Sequence, residues 1–285
     1  MVLPTVFVGL VSHAKSTFAQ SQGDLGLALQ LTESFRAAGF ESQHQVNTKN
    51  LFDIGAYPLT PAMCRSSVRQ EIKIESNWFS FLLKRERVSH FFRISGRYVN
   101  YLLHWRQNSR ATELRRLLNI EYSHVDLYRN AVASGAAWAI ILEDDAIADH
   151  LHDLVEGLVG IFECSSPPKM VNISASYSLA EIGVEHLLVT TGDVLWAGSM
   201  TRNILESARP ATNTVCAIAF RTDFLTKILE DFDAQSSEPV IPIDWKLNAS
   251  LMRLWDQGVI GPGDCWFVDP GPVAQLSMIQ NRAHK

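Results

Sequence analysis

Trp138-Ala139-Ile140-Ile141-Leu142 runs without a polar residue into three consecutive carboxylates, Glu143-Asp144-Asp145, followed by Ala146. A short apolar run with no polar alternation is what a strand buried on both faces of a sheet requires, because neither face meets water. In open α/β sheets ligands bind in the crevice beyond the carboxyl ends of the strands, so the acidic triplet is expected there. Side chains alternate along an extended chain, which sends Glu143 and Asp145 one way and Asp144 the other. Three adjacent anions repel one another, and a desolvated carboxylate is costly without a partner. A divalent cation supplies that partner, and hard Mn2+ or Mg2+ suits carboxylate oxygen. The alternative is a solvated acidic turn opening the next helix, where the helix dipole favours Asp and Glu.

The flanking pattern extends the α/β reading. Thr5 to Val11 is β-branched and apolar, a first strand ending at the polar turn Ser12-His13-Ala14-Lys15. From Asp24 to Ala38 the residues Leu27, Ala28, Leu31, Phe35 and Ala38 share one helical face, and Gly39 stands where a C-terminal glycine belongs. A strand around His44-Gln45-Val46 completes a β-α-β opening. The loop after strand one then faces the crevice, which makes Ser12, His13 and Lys15 candidates for touching a nucleotide or phosphate; any polar turn after a strand looks alike. A helix from Asn119 to Ser134, closed by Gly135, leads into the central strand. After the triplet, Leu151, Leu154, Val155, Leu158, Val159 and Phe162 form a helical stripe. Strands are expected at Met170 to Ser174, His186 to Thr190, Thr214 to Phe220 and Cys265 to Val268. Helices are expected to start near Thr222 and Asp244, and residues 273–285 read as a polar tail. Asp244 at a helix start could serve simply as a cap.

Charge is uneven. Nine Lys/Arg against two Glu lie between Lys84 and Arg116, a local +7 in a chain of net charge −5, so the remainder carries −12. Within that stretch Phe91, Phe92, Tyr98, Tyr101 and Trp105 alternate with arginines. Residues 78–116 therefore suit peripheral contact with an anionic membrane surface, an anionic acceptor, or equally a single-stranded nucleic acid. They suit equally an ordinary helical insertion, over residues 63–117, with a solvated basic face. The overall negative charge argues against a dedicated nucleic-acid partner. No run approaches the roughly 20 apolar residues of a membrane span, and Met1 to Thr5 lacks a basic signal-peptide start. Cys64, Cys164, Cys216 and Cys265 match no metal-site spacing and read as reduced thiols, so a cytoplasmic protein, peripheral on the inner membrane face, is expected. At 285 residues, a single domain spanning 1–285 accommodates all of this.

There is no Gly-x-Gly-x-x-Gly and no P-loop. An acidic strand end with a cation but without a phosphate-binding glycine loop suits a sugar nucleotide. The cation neutralises charge on the leaving diphosphate, and a second carboxylate takes the acceptor proton.

Leu142-Glu143-Asp144-Asp145-Ala146, preceded by Ser123-His124 and the helix into Gly135, resembles glycosyltransferase family 25, which includes lipooligosaccharide and collagen galactosyltransferases. Pro242-Ile243-Asp244 matches that family's later Pro-x-Asp element before a helix. The resemblance covers mainly residues 119–146, with weaker echoes at 170–177 and 212–247. It implies a GT-A-like (Rossmann-like) fold, with a mixed, mostly parallel sheet flanked by helices, carrying the basic helical insertion. It also implies a UDP-hexose donor such as UDP-galactose, Mn2+ (or Mg2+), and inverting transfer to a glycan or lipid-linked hydroxyl. In that frame Asp145 and Glu143 hold the metal, and Asp144 holds the donor ribose or orients the loop. Val11, Ser12, His13, Lys15 and His124 lie along the donor, which Glu143 also touches, and Asp244 is the general base. Two rivals remain: a catalytically silent glycosyltransferase-like binding subunit, and a metal-dependent phosphoester hydrolase. The hydrolase would need further ligands, and His13, His124 and His186 lack a recognisable spacing.

Overall fold

The computed structural model describes residues 4–12, 26–47, 109–148, 150–175, 188–190, 196–207, 214–235 and 242–277, with single helical positions at 92, 95, 96, 99 and 279. In chain order the elements are β1 (Thr5–Val11), α1 (Gly26–Ala37), β2 (Glu41–Asn47), α2 (Ser109–Ala133), β3 (Trp138–Glu143), β4 (Ala146–Ile147) and α3 (Leu151–Phe162). They continue with β5 (Met170–Asn172), β6 (Leu188–Thr190), β7 (Asn203–Ser207), β8 (Ala217–Arg221), α4 (Thr222–Ala234), α5 (Ile243–Asp256), β9 (Cys265–Asp269) and β10 (Ala274–Gln275).

Eight strands form one sheet in the order β2-β1-β3-β8-β5-β9-β7-β6, and β10 pairs with β4 in a separate two-stranded sheet. β2, β1 and β3 are mutually parallel, as are β5 and β9. β8 runs antiparallel to both its neighbours, β3 and β5, and β7 runs antiparallel to β9 and β6. The expected mixed, mostly parallel sheet with helices against it is therefore present: only β7 and β8 run against the rest.

β3 is buried along its length up to Glu143, as its unbroken apolar run requires. Its side chains divide between two cores. Trp138, Ile140 and Leu142 join Val6, Val8 and Leu10 of β1 beneath α1 and α3. Ala139 and Ile141 join Phe7 and Val11 beneath α2, α4 and α5. Phe162 of α3 stacks on Trp138 with ring centroids 4.2 Å apart. Gly39 and Gly135 follow α1 and α2 with φ of +88° and +72°, the left-handed turn that ends a helix without a Cβ clash.

Several boundaries differ from expectation. α2 begins at Ser109, so the last part of the basic stretch, Arg110 to Arg116, belongs to the helix that leads to β3. The rest of the 63–117 insertion lies outside the described residues, apart from the single positions named above. β7 and β4 were not foreseen, and residues 274–277 are no loose tail: β10 pairs with β4. Among the described residues no helix is long and apolar enough to cross a membrane.

One helix contact fixes the 196–202 segment. Trp196 Nε1 donates to Asp153 Oδ2 at 3.1 Å on α3, and a Cβ placed on Gly157, one turn further along, would fall inside the Trp196 indole. Gly157→Ala gains helix propensity of just under about 1 kcal/mol, but overpacking costs about 1–3 kcal/mol. The clash wins. The denaturant midpoint should fall with an unchanged slope, read by chemical unfolding.

Candidate metal centre

β1 and β3 end together. Val11 is the register partner of Glu143, and the Ser12 N–H donates to the Asn47 carbonyl at 2.9 Å, so β2 ends level with them. β8, running the other way, begins at this same end: the Glu143 N–H donates to the Cys216 carbonyl at 2.9 Å, just beyond the Leu142–Ala217 pair. Parallel and antiparallel neighbours thus bring three strand ends and one strand start to the same place.

Glu143 and Asp145 converge there, as alternation along the strand implies, even though residues 144–145 form a turn. Carboxylate oxygens of Glu143 and Asp145 and the Cys216 sulfur all lie within 4.8 Å of one another. The side chains are not splayed into water: Asp145 is only 5% exposed. Nor does the triplet cap α3, whose N-cap is His150; β4 intervenes. Gln275 Nε2 donates to Glu143 Oε2 at 3.1 Å, Ser277 Oγ donates to Asp145 Oδ2, and the Leu276 N–H donates to the Asp145 carbonyl at 2.9 Å. Asp145 Oδ1 is buried with no hydrogen-bond partner, and so is Asp144 Oδ2.

Those surroundings disfavour charge on Asp145. Burial is the largest influence pushing its carboxyl above the usual range, and the Glu143 and Asp144 charges add to it; the Ser277 hydrogen bond offsets part. At an effective dielectric of about 20, two charges this close repel by about 3 kcal/mol. A buried carboxylate oxygen without a donor, beside a second carboxylate, is an arrangement that could hold a cation.

α2 backs this arrangement. His124 is fully buried, with Nε2 3.7 Å from Glu143 Oε1 and neither ring nitrogen hydrogen-bonded. Its ring meets Tyr128 edge-on at 5.8 Å, and Tyr128 in turn meets Phe220 of β8. Burial, then the Glu143 charge, pushes the Tyr128 hydroxyl far above its ordinary pKa. Asn47 Nδ2 donates to the Ser123 carbonyl at 3.3 Å, tying β2 to the same turn of α2.

The other expected site residues divide. Val11 is packed in the core beneath α2, and Ser12 is buried with its N–H engaged by Asn47. His13 and Lys15 lie outside the described residues. Asp244 stands in the first turn of α5, whose N-cap is Pro242, so it is not itself the cap. Lys246, two residues on, pairs with Glu121 of α2 and ties that turn to the helix bearing His124. Asp244 is not part of the Glu143–Asp145–Cys216 cluster. Cys164, Cys216 and Cys265 carry thiols; Cys64 lies outside the described residues.

Cys216, Gln275 and Ser277 were not anticipated. Cys216 reads as one more apolar strand residue, and only β8's reversed direction brings it to the acidic end. Gln275 and Ser277 sit in what reads as a tail. Their alternate spacing after Gly271 is a faint strand signal. Gly271 itself is required where it stands, because a Cβ there would collide with the Ser174 backbone; that close approach lays the segment along β5's end, where Ser174 bridges Val273.

No protein-family model matches the chain, and a search of curated proteins finds no significant relative.

Proposed function

We propose that the protein is a divalent-cation-dependent glycosyltransferase of GT-A type, similar to family 25. It moves a hexose from a UDP-sugar to a hydroxyl of a glycan or lipid-linked acceptor, with inversion. The observation that carries this reading is the buried, partnerless Asp145 oxygen converging with Glu143 where β3 ends. A sheet whose strand β8 reverses beside that acidic turn is compatible with the GT-A architecture.

Mn2+ (or Mg2+) bound there would screen the charge that develops on the leaving diphosphate. Glu143 and Asp145 hold it, and Gln275 and Ser277 hold those carboxylates in place. Asp144 contacts the donor ribose. Asp244 takes the acceptor proton during attack, since an alcohol is too weak an acid to ionise beforehand. His124 packs behind Glu143 and sets its orientation. Ser12, His13 and Lys15 border the donor after β1. The basic aromatic stretch receives the acceptor or rests on an anionic membrane; Phe92 and Val99, 69% and 53% exposed, give it apolar contact points. A two-metal hydrolase finds less support, because Glu143, Asp145 and Cys216 form the single ligand cluster among the described residues.

A thermal-shift panel of UDP and UDP-hexoses with and without Mn2+ tests the reading. At about 100 times Kd a ligand adds about 2.7 kcal/mol, which for a chain of this size is a rise of about 5 °C. The rise is expected only with nucleotide and cation together. No response to any UDP-sugar with Mn2+, or phosphate release from a simple ester instead, would refute it.

A further inference from the structure

We infer that the Cys216 thiolate is a third protein ligand of the cation held by Glu143 and Asp145, and that it makes the site select Mn2+ and the more thiophilic Co2+, Zn2+ and Cd2+ over Mg2+. The inference rests on the metal-centre reading but not on sugar transfer.

Three features carry it. Donor atoms sharing one ion, at about 2.0–2.2 Å for oxygen and about 2.3 Å for sulfur, stand no more than about 4.5 Å apart; the Glu143, Asp145 and Cys216 atoms lie within 4.8 Å of one another, so side-chain shifts of a few tenths of an ångström let one ion reach all three. The cysteine is held from both sides of its backbone, its N–H donating to Thr214 Oγ1 at 3.2 Å and its carbonyl accepting from the Glu143 N–H at 2.9 Å. Backbone bonds at the end of the β3–β8 ladder therefore hold residue 216 beside Glu143. Independently of the cysteine, Asp145 Oδ1 is buried without a donor.

Two carboxylates alone would distinguish Mn2+ from Mg2+ poorly. A sulfur ligand changes that. Mg2+ demands oxygen in near-octahedral geometry and gives up its waters reluctantly. Thiolate favours softer ions, and affinity along the first row rises from Mn2+ through Co2+, with Zn2+ also above Mn2+. On coordination the thiol proton leaves to solvent and the sulfur binds as thiolate.

The full chain, stripped with chelator and kept reduced, is titrated with Co2+ in the absence of nucleotide. A near-ultraviolet thiolate-to-cobalt charge-transfer band is expected from the wild type. In Cys216→Ser it should vanish, with Co2+ affinity down about 10- to 100-fold or more, the loss expected even for an outer partner. The Mn2+ over Mg2+ preference should shrink in parallel. The wild-type spectrum alone decides the point if the variant folds poorly: Co2+ bound without a charge-transfer band overturns the inference, as does a band that survives in Cys216→Ser. Equal affinity for Mg2+ and Mn2+ in the wild type overturns it too. A charge-transfer band with no response to any UDP-sugar sinks the transferase and leaves the thiolate ligand standing. UDP-sugar turnover with no band does the reverse.

Discussion

On the proposed function, Asp145→Ala should abolish cation-dependent binding of UDP and UDP release from a UDP-sugar. Loss of a direct ligand exceeds the 10- to 100-fold that outer partners contribute to metal affinity; a drop in turnover of about 1000-fold corresponds to about 4 kcal/mol of lost transition-state stabilisation. Asp145→Asn separates charge from shape. It keeps an oxygen where Oδ1 lies buried and removes a negative charge beside Glu143 and Asp144. Without cation this variant should melt higher than the wild type, by about 2 °C if about 1 kcal/mol of repulsion is relieved. With Mn2+ the order should reverse, because the wild type gains more from the ion. Calorimetry with and without Mn2+ reads both halves. An Asn variant stabilised by Mn2+ as strongly as the wild type would show that the Asp145 charge does not hold the ion.

Asp153→Ala should cost about 3–5 kcal/mol, the penalty for leaving a buried ionic partner alone. Asp153 Oδ1 accepts from the Met200 N–H at 2.6 Å, and Oδ2 accepts from Trp196 Nε1 and from Arg202 Nε at 3.2 Å. Both ionic side chains are at most 9% exposed. Arg202 also donates to the Pro270 carbonyl, so one carboxylate joins α3, the 196–202 segment and the chain after β9. Burial is the largest single influence on this carboxyl and pushes it up, but the Met200, Arg202 and Trp196 donors together outweigh burial and hold it below the usual range. A carboxyl depressed in the folded state adds stability that is present above its unfolded pKa of about 3.9 and lost as pH falls through the folded value. Wild-type stability should therefore decline below about pH 4, and Asp153→Asn should be lower at neutral pH with a flatter profile through that window. Denaturant melts from pH 2 to pH 7 check the sign.

Local pattern and long-range topology contributed unequally to what could be read beforehand. β3 was legible because a strand covered on both faces needs an unbroken apolar run. α1 and α2 were legible at their C-terminal ends because Gly39 and Gly135 adopt a conformation other residues resist. β7 was not: Asn203-Ile204-Leu205-Glu206-Ser207 is only partly buried and carries little periodicity. β4 and β10, two residues each, exist only because they find one another. In the site, Glu143 and Asp145 announce themselves as adjacent anions. Cys216 does not, since its place depends on β8 running backwards, which no window around residue 216 encodes. Gln275 and Ser277 depend on a return of the chain across more than 120 residues.

β9 occupies the place between β5 and β7, yet it is made long after both. While a ribosome is still adding residues 208–264, β5 and β7 have no shared neighbour and present open hydrogen-bonding edges. Folding of this half of the sheet must await emergence of Cys265–Asp269. Such late closure exposes the nascent chain to edge-to-edge pairing and aggregation.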